Sequence, residues 1–150
     1  MKLELKHLAS YLPYGLKFRA KAEVWEMTCL YTLDEYKVWA HNYWDKDKLL
    51  YYPALNRKSD FQSKGYRLSQ IKPILRPLSD LTKEIEHNGE KFVPMDILCN
   101  EFSQYDCFEF DNVNILNNPY NQIQNLLEWH FDIYGLLENG LAIDVNTLGK

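Results

Sequence analysis

Apolar positions along this chain change their spacing in a way that divides it into elements. Leu5, Leu8 and Leu12 recur at intervals of three and four, the signature of a short amphipathic helix, and Pro13 stops it. From Leu16 the period becomes two: Leu16, Phe18, Ala20 and Ala22 point one way, and Lys17, Arg19 and Lys21 the other. Trp25, Met27, Cys29 and Tyr31 then alternate with Glu26, Thr28, Leu30 and Thr32. A third run sets Tyr36, Val38 and Ala40 against Lys37, Trp39 and His41. Few residues separate these runs, so tight hairpins must join them, and the pattern predicts a β-meander.

Beyond it the signal is less regular. Residues 45–65 read as a further strand at Leu49–Tyr52 followed by an exposed loop, and YRLSQI reads as a closing strand. Pro73 and Pro77 push Lys72 and Arg76 toward extended backbone, and Pro77 suits the first turn of a helix. That helix would use Leu78, Leu81 and Ile85 and end at His87-Asn88-Gly89. KFVP predicts a short strand, and Pro94 opens a helix through MDILCNEF. Residues 103–118 are acidic and asparagine-rich, with no assigned element. Asn118-Pro119 predicts the cap and first turn of a long helix over 119–138, with Ile123, Leu126, Trp129, Ile133 and Leu136 as its apolar stripe. Asn139-Gly140 ends it, and LAIDV predicts a closing strand.

The fold class expected is α+β: an N-terminal antiparallel β-meander of three to five strands packed on a helical C-terminal part with a short closing strand. The expected core holds Leu16, Phe18, Val38, Leu78, Leu81, Ile85, Leu126, Trp129 and Ile133.

Charge adds what periodicity does not show. Residues 1–76 carry 14 Lys+Arg against 8 Asp+Glu, and residues 77–150 carry 3 against 13. The formal net charge of −4 therefore conceals a basic, β-rich subdomain at 1–76 and an acidic, helix-rich one at 77–150, within one compact domain of 150 residues. Three cysteines (Cys29, Cys99, Cys107) without a CxxC spacing argue against a disulfide framework and for a reducing compartment. Lys2, Glu4 and Lys6 interrupt the opening segment, and no apolar run approaches the ~20 residues of a membrane helix. The expected location is a bacterial cytoplasm, with no membrane contact.

Signatures of chemistry are scarce. There is no GxGxxG, P-loop, GxSxG or HExxH. The four histidines and three cysteines are scattered, so neither metal nor cofactor is expected. Asp45-Lys46-Asp47 reads as a solvated loop. On a helix, Glu128 and Asp132 share a face that His130 does not, so this trio reads as ordinary helix surface rather than a ligand set. The stripe Lys17, Arg19 and Lys21, extended by Lys37, Trp39 and His41 on a neighbouring strand, is the sharper candidate. Basic residues interleaved with aromatics on a sheet can track phosphates and stack bases. The competing reading is that these side chains solvate the outer face of an antiparallel sheet.

Three blocks, LKHLASYLPYGLKF, IKPILRPLSDLTKEIEHNGEKFVP and EWHFDIYGLLENGLAIDVNTL, together resemble small proteins encoded by bacteriophages and prophages of gut anaerobes, a group without an assigned activity. The blocks cover a little under half the chain, and residues 25–68 lie outside them. The resemblance implies a phage-related gene and carries over no site residue. The expectation is a non-enzymatic binding or accessory protein that recognises a host or phage protein through its charge-polarised surfaces. Two alternatives stay open: single-stranded nucleic-acid binding on the basic sheet face, and nucleic-acid mimicry by the acidic half.

Overall fold

The computed structural model describes residues 1–31, 37–42, 63–100, 110–111 and 113–149. It is an α+β fold. Among the described residues eight strands run in chain order: β1 (Lys17–Ala20), β2 (Glu23–Tyr31), β3 (Lys37–Asn42), β4 (Ser63–Arg67), β5 (Ile71–Leu75), β6 (Ile85–His87), β7 (Glu90–Phe92) and β8 (Ile143–Asp144). Three α-helices accompany them among the described residues: α1 (Leu5–Ala9), α2 (Pro94–Asn100) and α3 (Tyr120–Glu128).

Six strands form one sheet in the order β4-β3-β2-β1-β5-β8, antiparallel except for the parallel β5–β8 pair. Strands β1 to β3 are the three runs of the predicted meander, and β4 adds a fourth antiparallel strand where a loop and the start of YRLSQI were expected. A single 3₁₀ turn, Leu68–Gln70, joins β4 at one edge to β5 on the far side of β1. Four Cα steps reach at most about 15 Å, whereas four strand spacings of a flat sheet are about 19 Å. The sheet must therefore coil strongly toward closing on itself. Phe18 and Ala20 are buried, each opposite a buried residue of β5, Pro73 and Ile71 respectively. Pro73, which has no N–H to give a ladder, lies at the part of β5 that β8 leaves unpaired, since β8 pairs only with Ile74 and Leu75.

YRLSQI is thus not one strand. Tyr66 and Arg67 end β4, Leu68–Gln70 turn, and Ile71 begins β5. A register shift between Met27 and Cys29 also interrupts the even alternation read along β2, since a bulge places an extra residue in one strand.

The helix expected over Leu78, Leu81 and Ile85 is a 3₁₀ turn, Leu78–Thr82, after which the chain becomes a hairpin. Asn88 (φ 52°) and Gly89 (φ 83°) form the two-residue turn between β6 and β7. Two consecutive positive φ values are what an Asn-Gly hairpin supplies, so Gly89 belongs to a β-turn and not to a helix cap. Helix α2 begins at Pro94 as expected.

The long C-terminal helix is about half the expected length. Helix α3 stops at Glu128, Trp129 is its cap, and His130 takes φ 60°. The N–H of Phe131 reaches the Leu126 carbonyl at 2.8 Å and that of His130 reaches the Leu127 carbonyl at 3.0 Å. This pair of bonds is the Schellman ending, with histidine at the left-handed position that glycine usually takes. Nor does Asn118 cap α3. Its amide instead closes a loop, accepting from the Asp111 N–H and donating to the carbonyls of Asp111 and Ile115.

After His130 the chain turns around Asp132, a buried carboxylate that accepts the N–H groups of Tyr134, Leu136 and Leu137. Gly140 (φ 67°) ends this segment, and β8 follows. One hydrophobic cluster joins the N-terminal segment, β1, β5 and the C-terminal half, including Leu8, Tyr11, Leu16, Phe18, Leu75, Leu98, Leu126, Phe131 and Leu136. Of the expected core, Leu16, Phe18, Leu81, Ile85, Leu126, Trp129 and Ile133 are buried, Leu78 packs half-buried against them, and the side chain of Val38 lies outside the described residues. Tyr11 ties the N-terminal segment to the C-terminal one, donating its hydroxyl to the Phe131 carbonyl at 2.6 Å.

Candidate functional site

Two regions gather polar chemistry on this frame. The first is the outward side of the sheet. Phe18 and Ala20 face the core, so the alternation of β1 turns Lys17 and Arg19 away from it, and both are half-buried. Register sets Arg19 directly opposite Lys72 of β5, which is exposed. On β2, Lys17 stands opposite Glu26, and Glu26 stands opposite His41 of β3, so positions 17, 26 and 41 form one row across three strands. Further along β3, Trp39 pairs with Gly65 and Lys37 with Arg67. The side chains of Lys37, Trp39 and His41 lie outside the described residues. Lys21 departs from the expected stripe: β1 ends at Ala20, and Lys21 (φ 57°) sits exposed in the hairpin turn to β2. Lys72 was hidden from the sequence stripe because it lies about fifty residues away, yet the ladder makes it Arg19's neighbour.

The Arg19–Lys72 pair is electrostatically unusual. Like charges directly opposite on neighbouring strands destabilise a sheet. Among the described residues neither is ion-paired with a carboxylate, and the Arg19 Nε is buried without a hydrogen-bond partner.

The second region is a cleft of about 700 Å³ at the end of the sheet. One wall is Pro13, Tyr14, Gly15 and Lys17; a second is Arg76 with Glu86, His87 and Asn88 of the β6–β7 hairpin. The third is the end of α3, from Glu128 to His130, and Val145 and Leu148 close it. The backbone holds His130 against Arg76: the Arg76 N–H donates to the His130 carbonyl at 2.8 Å, and the Asp132 N–H to the Arg76 carbonyl at 2.9 Å.

His130 Nε2 lies 2.7 Å from the Tyr14 carbonyl, which can only accept, so the ring carries its proton on Nε2. Burial, with His87, Lys17 and Arg76 nearby, pulls its pKa down to about 4 against the raising effect of that bond. The His87 ring meets it edge-on at 5.7 Å. Burial also lowers the His87 pKa, opposed by the Glu128 charge. Arg76 is lowered too, by desolvation, partly countered by Asp80 and Asp144. Its Nε is buried with no partner, and its Nη2 reaches only the Glu86 carbonyl, at 3.4 Å.

Reading His130 as ordinary helix surface is therefore corrected, because the helix ends two residues earlier and its left-handed backbone turns the ring into the cleft. Glu128 lines the same cleft, whereas Asp132 faces inward to its three N–H partners. No carboxylate hydrogen-bonds either histidine among the described residues, and no three His, Cys, Asp or Glu side chains there converge as a metal site would require. Asp45-Lys46-Asp47 and the Leu49–Tyr52 strand lie outside the described residues. No helix among the described residues is long and apolar enough to cross a membrane. No family model, no curated protein and no solved structure matches the chain.

Proposed function

We propose that this chain is a non-enzymatic binding or accessory protein whose basic sheet face recognises an acidic partner. The observation that carries the reading is the Arg19–Lys72 juxtaposition. Two cations opposed across a ladder, with a desolvated Nε on one of them, are an arrangement that an incoming anion relieves. Lys17, opposite Glu26 in the neighbouring row of the register, would extend the binding surface, and His41 and Trp39 belong to it by their positions on β3 alone. What favours binding over catalysis is the state of the histidines. His130 Nε2 is committed to a backbone carbonyl, and among the described residues no carboxylate hydrogen-bonds the His130 or His87 ring as general base chemistry would need. The resemblance of the three sequence blocks to phage-encoded proteins would set such a partner inside an infected or lysogenic bacterium.

The test is fluorescence anisotropy at low salt with a labelled single-stranded oligonucleotide and, separately, a labelled poly-glutamate peptide. The expected result is binding to at least one that weakens steeply with added salt. Arg19→Glu with Lys72→Glu should weaken it about tenfold or more, since each anion deprived of its cation forfeits an ionic interaction of roughly 1 kcal/mol. If neither probe binds, or the double variant binds as the parent does, the row is only a solvated sheet face.

A further inference from the structure

The cleft asks for a ligand of its own, although Lys17 and Glu26 belong both to it and to the sheet face. Arginine presents carboxylates and phosphates with two parallel donors along one planar edge, and the side-on edge consists of Nε and Nη2. On Arg76 that edge is unsatisfied: Nε is buried without a partner, and Nη2 has only the long contact to the Glu86 carbonyl. A desolvated guanidinium donor left unpaired is costly, and native structures rarely leave one so. The plane of the group is steadied by the Phe131 ring, 6.0 Å away. Its backbone is fixed on both sides by His130 and Asp132. His87 stands beside it with a ring contact to His130 and, among the described residues, no hydrogen bond of its own.

We infer that the cleft holds the carboxylate of a small organic acid, bound by the Arg76 guanidinium next to His87, with its apolar body against Val145 and Leu148. Three features select this class. The size, about 700 Å³, is within the range of small-molecule sites and larger than an inorganic ion needs. The lining sets the Arg76 guanidinium and Lys17 beside the aliphatic side chains of Ile74, Leu75, Val145 and Leu148, which suits a charged head on an apolar body. Glu26, Glu86 and Glu128 also line the cleft, so a doubly charged phosphate meets more repulsion than a singly charged carboxylate.

The experiment uses the full chain and follows the imidazole resonances of His87 and His130 by NMR. The probes are benzoate, its uncharged analogue benzamide, and inorganic phosphate. Benzoate should shift both rings saturably, with a dissociation constant near the millimolar value usual for a ligand of that size. Benzamide and phosphate should each bind about tenfold more weakly or worse, because one lacks the charge and the other carries too much. Arg76→Gln should weaken benzoate about tenfold or more, and Arg76→Lys, which keeps the charge but not the fork, should also lower affinity. Thermal unfolding of each variant shows whether it is folded. Should Arg76→Gln not fold, Arg76→Lys and His87→Gln, the latter on the hairpin, decide the matter through the same titration.

The inference fails if benzoate moves neither ring up to about 50 mM, well above the affinity expected. It fails equally if benzamide or phosphate binds as well as benzoate, or if folded Arg76 variants bind it unchanged. None of these substitutions touches Arg19 or Lys72, so failure here leaves the sheet-face reading standing, and the converse holds.

Discussion

Asp132→Ala is expected to cost about 3–5 kcal/mol of folding stability, the upper range for loss of a buried hydrogen-bonded charge. Asp132 is 4% exposed and accepts from Tyr134 at 3.3 Å, Leu136 at 3.0 Å and Leu137 at 2.7 Å. Alanine would leave those three N–H groups without their acceptor, on residues that belong to the core or pack on it. Hydrogen bonds to a charged group are worth roughly 1.5–3 kcal/mol each, but their losses overlap because water can enter the space left behind. Asp132→Asn should cost less, about 2 kcal/mol, since Oδ1 still accepts while the new amide opposes the Leu137 N–H. Urea titration with an unchanged slope would read both values. A cost under about 1 kcal/mol for the alanine variant would mean that this carboxylate does not organise the segment after α3.

That segment also shows where the sequence was legible and where it was not. Strand periodicity at β1 was clear because one side of that strand is core and the other is not, and Phe18, Ala20, Lys17 and Arg19 occupy the sides their spacing implies. Apolar spacing of three and four over 119–138 looked equally clear, yet it misplaced the helix end. Leu126, Trp129, Ile133 and Leu136 are all buried, so the pattern located the core correctly. It could not tell a continuing helix from a chain that turns and buries the same residues from a different backbone. The overlooked signal was Asp132-Ile-Tyr-Gly135, with aspartate and glycine at the first and fourth positions of a turn. Asn88-Gly89 was a similar case: glycine after asparagine serves a helix end or a hairpin, and charged residues on both sides favoured neither.

The candidate sites differ in the same way. Half of the sheet row was visible as local alternation, whereas Lys72 entered it only through pairing of β1 with β5. The cleft had no sequence signature. It needs Tyr14, Arg76, His87 and His130, which separate segments contribute, and it needs His130 in a left-handed conformation that histidine seldom adopts. A non-glycine residue held at that position costs of order 1 kcal/mol, and such strain persists where surrounding structure fixes it. Here the Tyr14 carbonyl and the two backbone bonds with Arg76 do so.

Acid should destabilise the protein chiefly through His130. The unfolded histidine titrates near 6.5, and the folded His130 near 4. The folded pKa is depressed, so between these values the unfolded chain binds the extra proton and stability rises with pH. The contribution is complete above pH 6.5 and lost as the pH falls toward 4, amounting to about 3 kcal/mol over that window. His7 and His87 are lowered by burial as well and add to the same slope. Asp80 acts in the neighbouring window below it: burial raises its pKa, but hydrogen bonds from Lys83 and Asn146 bring the net value down, so its stabilisation fades at lower pH still. His130→Asn separates these contributions, because asparagine tolerates the left-handed backbone without titrating. The difference in unfolding free energy between parent and variant, measured by urea titration from pH 7.5 to 4, should change by about 2–3 kcal/mol in favour of the variant at the acid end. A difference that stays flat with pH would mean that the buried His130 ring titrates as freely in the folded protein as in the unfolded chain.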